Sequence, residues 1–294
     1  MKETFIKLHI SILLAGLTGI FGKLISMNEG LLVWYRMLFA SVIFFFFLVI
    51  SGKLQKISLN DFGKIAGAGA LLGLHWIFFY GSIKYATISI GVVCFSLSGF
   101  FTAILEPWIL RRKFSFRELS FSCIALLGVL FIFSFDIRYR LGIGMGVTSS
   151  LLYSLFSIRT RQIGRDFPSR TMLLYEMAGG FLVLSCLLPF YLVVFPVSSI
   201  LPGTSDLIYL LLLAVFCTIG LQLLQIQVLQ KISAFTVSLS YNLEPVYSTI
   251  LAMVFFNEAR ELNFAFYVGV LLILLSVLLQ AWDTIRKRKM LSAS

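Results

Sequence analysis

The stretch SLSYNLEPVYSTILAMVFFNE, residues 238–258, is long and apolar enough to cross a membrane, yet Glu244 and Pro245 lie side by side near its middle. A proline inside a helix removes one backbone hydrogen bond and clashes with the preceding turn, at a cost of about 3 kcal/mol. An acid at the centre of a bilayer costs roughly another 2.5–3.5 kcal/mol on insertion scales. Both costs have to be offset, so this stretch is a candidate for the centre of a site.

The composition around this stretch is that of a polytopic membrane protein. Of the 294 residues, 59% are hydrophobic and only 13% are charged, and the mean hydropathy is +0.97. An ordinary soluble domain has about 25% charged residues. Most of the surface is therefore expected to face lipid, so the lipid bilayer is a predicted partner of the chain.

Apolar runs of the length of a spanning helix, about 20 residues each, predict an all-α fold. Charged and turn-forming residues separate ten such runs, and the connections are too short for a soluble domain. The predicted transmembrane helices are 5–26, 31–51, 63–83, 88–110, 117–135, 141–159, 171–195, 206–230, 234–256 and 263–283. We expect the first run to be a span rather than a removed signal peptide, because no convincing small-residue cleavage site follows it.

The basic residues predict the topology of the chain. The net charge of +11 would suit a nucleic-acid partner, but the Lys and Arg residues lie between the spans and form no soluble patch, so we expect none. If the N-terminus is cytoplasmic, 18 of the 24 basic residues fall on the cytoplasmic side and 5 on the other, with Arg36 left inside a span. The positive-inside rule therefore predicts that both termini are cytoplasmic, with a bacterial cytoplasmic membrane assumed.

An internal repeat relates the two halves of the chain. At an offset of 146 residues, 82–105 aligns with 228–251, and Ser98-Gly99 are the partners of Glu244-Pro245. Earlier in each half the offset is about 140, which pairs Arg36 with Glu176. Five spans per half is an odd number, so the halves, 1–138 and 139–294, are predicted to be inverted repeats in the membrane.

A second Glu-Pro pair competes with this alignment. Glu106-Pro107 lies 138 residues before Glu244-Pro245, but extending that register gives almost no further agreement. We interpret Glu106-Pro107 as a coincidence near a cytoplasmic helix end, where Glu106 can reach the basic cluster Arg111 to Lys113.

Several motifs of the chain resemble one family. The motifs are AGLTGIFGK at 15–23, YRMLFAS at 35–41, SIKYATIS at 82–89 and, above all, ISAFTVSLSYNLEPVYSTILAMVFFNE at 232–258. They are similar to the two tandem EamA-type repeats of the drug/metabolite transporter superfamily over nearly the whole chain. The first repeat departs from the pattern: Ala15 stands where a Trp is frequent, Gly99 replaces a Pro, and Arg111-Arg112 replace a Gly-Glu.

The resemblance implies a ten-helix inverted-repeat carrier with a central cavity. Export rather than uptake is implied by the resemblance alone. No nucleotide-binding motif is present, so any energy is expected to come from gradients, and no cofactor is expected. The four cysteines lie singly in apolar runs without ligand spacing, which favours packing residues over a metal site.

Glu244 is the leading candidate for contact with a substrate. It lies about ten residues, or roughly 15 Å, from the start of its span, and Tyr241 and Asn242 add a hydroxyl and an amide beside it. Irregular backbone at this depth is tolerated where protein or a wet cavity satisfies it. Glu244 then either lines the pathway, as a contact for an ammonium group or a proton acceptor, or is a structural acid bonded to a neighbouring helix. Its repeat partner Ser98 is a candidate by symmetry.

Arg36 and Glu176 each lie about six residues inside a predicted span. Arg36 would attract a carboxylate or phosphate and Glu176 an amine, but inversion places them in opposite halves of the membrane, so a direct salt bridge is not expected. Both could instead be structural, and Arg36 could snorkel. Lys23, nearer its helix end, is a further candidate.

Polar aromatic and amide side chains complete the set of candidates. HWIFFY at 75–80 places His75 and Phe79 on one helix face and Trp76 and Tyr80 on another. Such a cluster, with Tyr153, would cradle an amphiphilic ligand or simply pack the core. Gln222 shares a face with Gln225 and serves either substrate contact or helix association.

A carrier for a small metabolite, amino-acid-like or amphiphilic, is the function that these features favour. An enzyme would need a nucleophile with a base, a metal set or paired acids, and the chain has only two histidines and no HExxH or GxSxG motif. A receptor or structural protein would not require an inverted duplication with acids inside the spans. A channel would share the architecture, and saturable counterflow would separate the two. The oligomeric state stays open, with a monomer compatible with the sequence.

Overall fold

The computed structural model describes residues 2–135, 139–257 and 264–291, and the regular secondary structure in these ranges is helical, without strands. Their helices are α1 Lys2–Leu24, α2 Glu29–Ile50, α3 Leu59–Tyr85, α4 Ile88–Phe95, α5 Ser98–Ile109, α6 Phe116–Phe135, α7 Arg140–Ile163, α8 Ser169–Val194, α9 Thr204–Ala214, α10 Leu221–Leu229, α11 Ala234–Ser240, α12 Glu244–Phe256 and α13 Phe264–Leu291. A π-helical turn, Val215–Gly220, joins α9 to α10, and a 3₁₀ turn, Tyr241–Leu243, joins α11 to α12.

Seven of the helical stretches in the described ranges are long and apolar enough to cross a membrane. They are α1, α2, α3, α4 with α5, α7, α8 and α9 with α10, and a shorter apolar stretch follows at Phe264–Leu279. The described part of the chain is thus all-helical and has the apolar spans of a multi-pass membrane protein, whereas the number of ten spans stays a prediction.

Two predicted spans, 88–110 and 234–256, are each interrupted halfway. In the first, α4 ends at Phe95 and α5 begins at Ser98; in the second, α11 ends at Ser240 and α12 begins at Glu244. The first interruption contains no proline and was not predicted. In the second, Pro245 lies in the first turn of α12, where its missing N–H is not needed, so the expected cost of an interior proline does not arise.

The two interrupted stretches follow the same register. Helices α4 and α11 begin at positions 88 and 234, and α5 and α12 at 98 and 244, so both pairs of starts are 146 residues apart. Each stretch also begins with a hydroxyl cap: Thr87 accepts a hydrogen bond from Ile90 N, and Ser233 accepts one from Thr236 N, both at 3.1 Å. The offset read from the sequence therefore matches the bounds of the helices.

The interrupted stretches pack against each other in the core. Helix α5 runs antiparallel to α11, with Thr102 Oγ1 3.2 Å from Ser238 Oγ. At Gly99 an added Cβ would lie 3.0 Å from the side chain of Leu239, so a larger residue fits only if that side chain shifts. The rings of Phe95 and Tyr241, one beside each interruption, have centroids 6.4 Å apart. Their packing brings both irregular segments to the middle of the molecule.

Candidate functional site

A cavity of about 30 Å³ lies where the interrupted helices meet α1, α2, α3, α7 and α10. It is lined by Ala15, Thr18, Arg36, His75, Trp76, Phe79, Phe95, Tyr153, Leu221, Gln222, Gln225, Tyr241 and Glu244. One water needs roughly 10–15 Å³ of such space, so the cavity has room for about two waters. A larger molecule enters only if side chains or helices move, so this conformation is closed around its centre.

Arg36 supplies the positive charge of the cavity and is held entirely by neutral groups. Its Nε donates to Thr218 Oγ1 at 2.7 Å, and its two terminal nitrogens donate to Tyr80 Oη at 2.8 Å and to the Cys217 carbonyl at 2.6 Å. The guanidinium carbon lies 3.6 Å from the centre of the Trp76 ring, a cation–π contact. These bonds use three of its five N–H donors and leave its charge without a carboxylate partner among the described residues.

The π-helical turn provides two of those partners. Thr218 and Cys217 lie within it, and Thr218 Oγ1 also donates to the Leu213 carbonyl five residues back, at 3.0 Å. A π turn widens a helix locally and is frequent at functional sites. Here it turns a carbonyl and a hydroxyl of the second half toward Arg36 of the first half.

Glu244 is the acidic residue of the cavity. It is the first residue of α12 and only 3% exposed. Its carboxylate has no hydrogen bond or ion pair with any described residue, so the interpretation as an acid bonded to a neighbouring helix finds no partner there. A buried carboxylate without a partner is costly, and a ligand cation or a proton would remove that cost.

Histidine, tyrosine and glutamine side chains connect the remaining walls. His75 Nδ1 lies 3.0 Å from the Ser149 carbonyl and 2.8 Å from Ser149 Oγ, which donates to the His75 carbonyl at 3.0 Å; a proton on Nδ1 satisfies these contacts together and leaves Nε2 as an acceptor. Gln225 Nε2 donates to Tyr153 Oη at 2.8 Å, and Gln225 Oε1 lies 3.2 Å from Tyr241 Oη. Gln222 Oε1, by contrast, is buried without a partner in the described part of the chain.

The aromatic rings form one continuous wall. The ring of Tyr153 lies 4.7 Å from Phe95, 5.2 Å from His75 and 6.0 Å from Tyr241, as centroid distances. Phe79 extends the wall to Phe95 at 6.0 Å. Such a wall offers stacking and dispersion to a flat or apolar ligand group.

The structure brings seven predicted site residues together around the cavity: Arg36, His75, Trp76, Tyr153, Gln222, Tyr241 and Glu244. Tyr80 lies directly behind them as a partner of Arg36. Lys23 and Glu176 lie elsewhere: Lys23 is at the exposed end of α1, 5.5 Å from the Phe256 ring, and Glu176 accepts a hydrogen bond from Thr160 Oγ1 at 2.8 Å between α7 and α8.

Ser98 and Asn242 lie at the interruptions and do not line the cavity. Both side chains are fully buried. Ser98 Oγ and both polar atoms of the Asn242 amide have no hydrogen-bond partner among the described residues. The interruptions are therefore places where buried polar atoms lack hydrogen-bond partners among the described residues.

Sequence reasoning missed some cavity residues. Gln225 had a signal, since it shares a helix face with Gln222, and it does reach the cavity. No sequence signal pointed to Phe95 or Thr18, because an apolar or hydroxyl residue inside a span looks the same in the sequence whether it faces lipid, core or cavity. Thr218 and Cys217 had none either, since nothing in the chain predicts a π turn.

The interpretation of Glu106 as a coincidental helix-end acid was incomplete. It lies 3.3 Å from Arg112, as the basic cluster suggested, but it also accepts hydrogen bonds from Ala234 N and Phe235 N at 3.2 and 3.0 Å, and lies 3.5 Å from Arg161 Nε. With 1% exposure, this acid joins α5 to the start of α11 and to α7. It therefore closes one end of the bundle.

Arg112 is bound firmly in this cluster, outside the membrane spans. It also pairs with Glu118 at 2.5 Å. Partial burial lowers the pKa of Arg112, but the hydrogen bond with Glu118 and the charges of Glu106 and Glu118 outweigh that effect and raise the pKa above its usual value. Arg112 thus stays charged at any relevant pH.

Polar contacts also close the opposite end of the bundle, where α1 ends and α2 begins. Asp206 accepts hydrogen bonds from the backbone N and the hydroxyl of Ser26, at 2.9 and 2.7 Å. Lys84 Nζ donates to the Met27 carbonyl, and Tyr191 Oη donates to Glu29 at 2.8 Å. Polar contacts thus hold the described helices together at both ends of the bundle.

A family comparison agrees with this architecture. The sequence model of the EamA-like transporter family matches residues 5–134 and 140–282. The chain belongs to the EamA-like transporter family. Membership of this family agrees with the multi-pass helical architecture, and the two matched segments follow one another along the chain.

Two relatives are named as transporters. The chain is 26% identical over 164 residues to an uncharacterized transporter, YxxF, of Bacillus subtilis, covering 54% of this chain and 53% of that one. It thus spans about half the length of this relative. It is 21% identical over 299 residues to an uncharacterized transporter of Clostridium kluyveri, covering 94% and 92%. A crystal structure of a protein with 17% sequence identity has a TM-score of 0.66, covering 94% of this chain and 96% of that one, which is a likeness of fold alone.

Proposed function

We propose that this EamA-like transporter exports a small zwitterionic or amphiphilic metabolite, such as an amino acid, by alternating access to the central cavity. In this proposal ten spans form two inverted five-helix repeats, 1–138 and 139–294, and both termini lie in the cytoplasm of a bacterial cell. The gradient of the substrate or of an ion drives transport, and one chain is sufficient, because the described residues of a single chain line the cavity.

One observation carries the proposal: Arg36 and Glu244 line the same buried cavity, and neither has an oppositely charged partner among the described residues. A ligand with a carboxylate and an ammonium group would satisfy both charges at once. Gln222 Oε1 and His75 Nε2 add acceptors for the ammonium, and the ring wall around Tyr153 would hold an apolar substituent. Because buried charges without partners are costly, the presence of both residues in one cavity supports a zwitterionic substrate.

The contacts at the two ends support an alternating opening. To open one end, the cluster of Glu106 with Arg112, Arg161 and the start of α11 has to separate; to open the other, the contacts of Asp206 and Lys84 have to break. A midplane site between inverted halves that rock against each other is the common design of such carriers. Export is chosen over uptake on the family resemblance.

The test is counterflow in proteoliposomes with labelled amino acids, nucleobases and organic cations. We expect saturable exchange of one zwitterionic class, lost in Glu244→Gln at unchanged protein level in the membrane. Glu3→Gln is the matched control, because it removes the same charge from an exposed acid. Full exchange in Glu244→Gln would contradict the site, and absence of exchange with every class would favour a receptor.

A further inference from the structure

A second cavity, of about 310 Å³, lies between α2, α3, α7 and α8 at the end of the bundle where α2 begins. We call it the outer cleft; it is lined by Glu29, Gly30, Trp34, Leu74, Ile77, Phe78, Met145, Leu184, Leu187, Leu188, Tyr191 and Phe195. It shares no lining residue with the central cavity. Its volume is at the lower limit of the range in which proteins bind small molecules.

The outer cleft contains one charged side chain. Glu29 is the first residue of α2 and only 6% exposed. Tyr191 Oη donates to its Oε1 at 2.8 Å, and no basic group of the described chain forms an ion pair with it within 4.0 Å. The ammonium of Lys84 donates instead to the Met27 carbonyl. Among the described residues, the second oxygen of the Glu29 carboxylate therefore has no hydrogen-bond donor, although it lies in an apolar cleft.

The remaining walls are apolar and reach far into the bilayer region. Along α8 the lining extends from Phe195 to Leu184, eleven residues or roughly 16 Å. The indole N–H of Trp34 is already bound to Ser185 Oγ at 2.8 Å, so this ring offers only its apolar surface. Leu187 and Phe195 are 45% and 44% exposed on the lipid side. A long apolar group can thus enter from the bilayer.

We propose that the outer cleft binds an amphiphilic primary amine taken from the bilayer, with its ammonium on Glu29 and its tail between α2, α3 and α8. The charge selects the occupant: the ammonium would supply the missing donor and offset the buried charge, whereas a fatty acid or an anionic phospholipid would place like charges together. The proposal concerns a site separate from the central cavity and does not depend on which solute is transported.

The experiment uses the full chain in nanodiscs of phosphatidylcholine and a dodecylamine probe with a photoreactive diazirine in its tail. Mass spectrometry locates the labelled residues. We expect labelling around Trp34 in α2 and Leu187 in α8, at least tenfold weaker in Glu29→Gln. Glu3→Gln, the same change of charge at an exposed acid, is the control and should label normally. Unlabelled dodecylamine should compete, and dodecanol and dodecanoic acid should not.

A second variant keeps the proposal testable if Glu29→Gln does not fold. Leu187→Trp retains the acid and fills the cleft, so it should also lose the label. The proposal is overturned if folded Glu29→Gln labels as strongly as the unmodified chain, if Leu187→Trp labels normally, or if dodecanol competes as well as the amine. The last result would mean that the cleft is only apolar surface covered by lipid.

Discussion

The two interrupted helices share a backbone plan but differ in chemistry. Both begin at a hydroxyl cap, and their second segments start 146 residues apart, at Ser98 and at Glu244. Ser98 is fully buried away from the cavity, whereas Glu244 lines it. The comparison teaches that a repeated pattern sets where a helix breaks, while a single side chain decides which break places an acid in the cavity.

The largest expected difference between the two halves is functional. Truncating one partner of a buried charge pair costs about 2–5 kcal/mol, or at least roughly 30-fold in affinity. We therefore expect Glu244→Gln to lower the rate of counterflow at subsaturating substrate at least that much, and Ser98→Ala to change it less than about twofold. Transport rates of the two variants, normalised to protein in the vesicles, make the comparison. Equal losses would mean that the breaks act as hinges and not through their side chains.

The second difference lies at position 106, where α5 has an acid and its repeat partner in α12 is Ala252. Hydrogen bonds to charged groups contribute about 1.5–3 kcal/mol, and Glu106→Gln weakens those with Arg112, Arg161 and the start of α11. We expect a lower free energy of unfolding by about that amount, measured as thermal unfolding in detergent. Glu3→Gln should leave the transition unchanged. An unchanged thermal transition in Glu106→Gln would show that the bonds of Glu106 do not stabilise the closed conformation.

The third difference lies at Gly99, whose repeat partner in the second half is Pro245. Gly99 makes a close contact with Leu239. Gly99→Ala places a Cβ 3.0 Å from the flexible end of Leu239, so we expect destabilisation of about 1 kcal/mol. Gly144 in α7 has open space around it, and Gly144→Ala should stabilise the helix by roughly 0.5–1 kcal/mol. Opposite shifts in the unfolding midpoint would confirm that packing, not helix propensity, requires Gly99.

The smallest effect is expected at the most conspicuous residue. Pro245 lies in the first turn of α12, where an alanine is tolerated equally well, so Pro245→Ala should change stability by less than about 0.5 kcal/mol. Ala252→Pro, in the interior of the same helix, should cost about 3 kcal/mol. A large loss from Pro245→Ala would mean that the proline itself holds the 3₁₀ turn.

Much of the architecture could be predicted from local patterns. The apolar runs predicted a multi-pass helical membrane protein, and the Glu-Pro pair predicted irregular backbone where the 3₁₀ turn Tyr241–Leu243 lies. Arg36 and Glu244 stood out because charges inside spans are rare. The interruption after Phe95 could not be predicted, because without a proline nothing local distinguishes it from continuous helix.

The partners of each site residue were beyond sequence reasoning for a physical reason. Arg36 is held by Thr218 and Cys217, about 180 positions away, and Glu106 by the start of α11, about 130 positions away. By itself the sequence determined that most of the surface faces lipid, that the spans are helical and that the repeat has an offset of 146 residues. These properties depend on composition and on residues close together in the chain. Only the tertiary structure decided that Arg36 shares a cavity with Glu244 and not with Glu176, because that choice depends on how the helices pack.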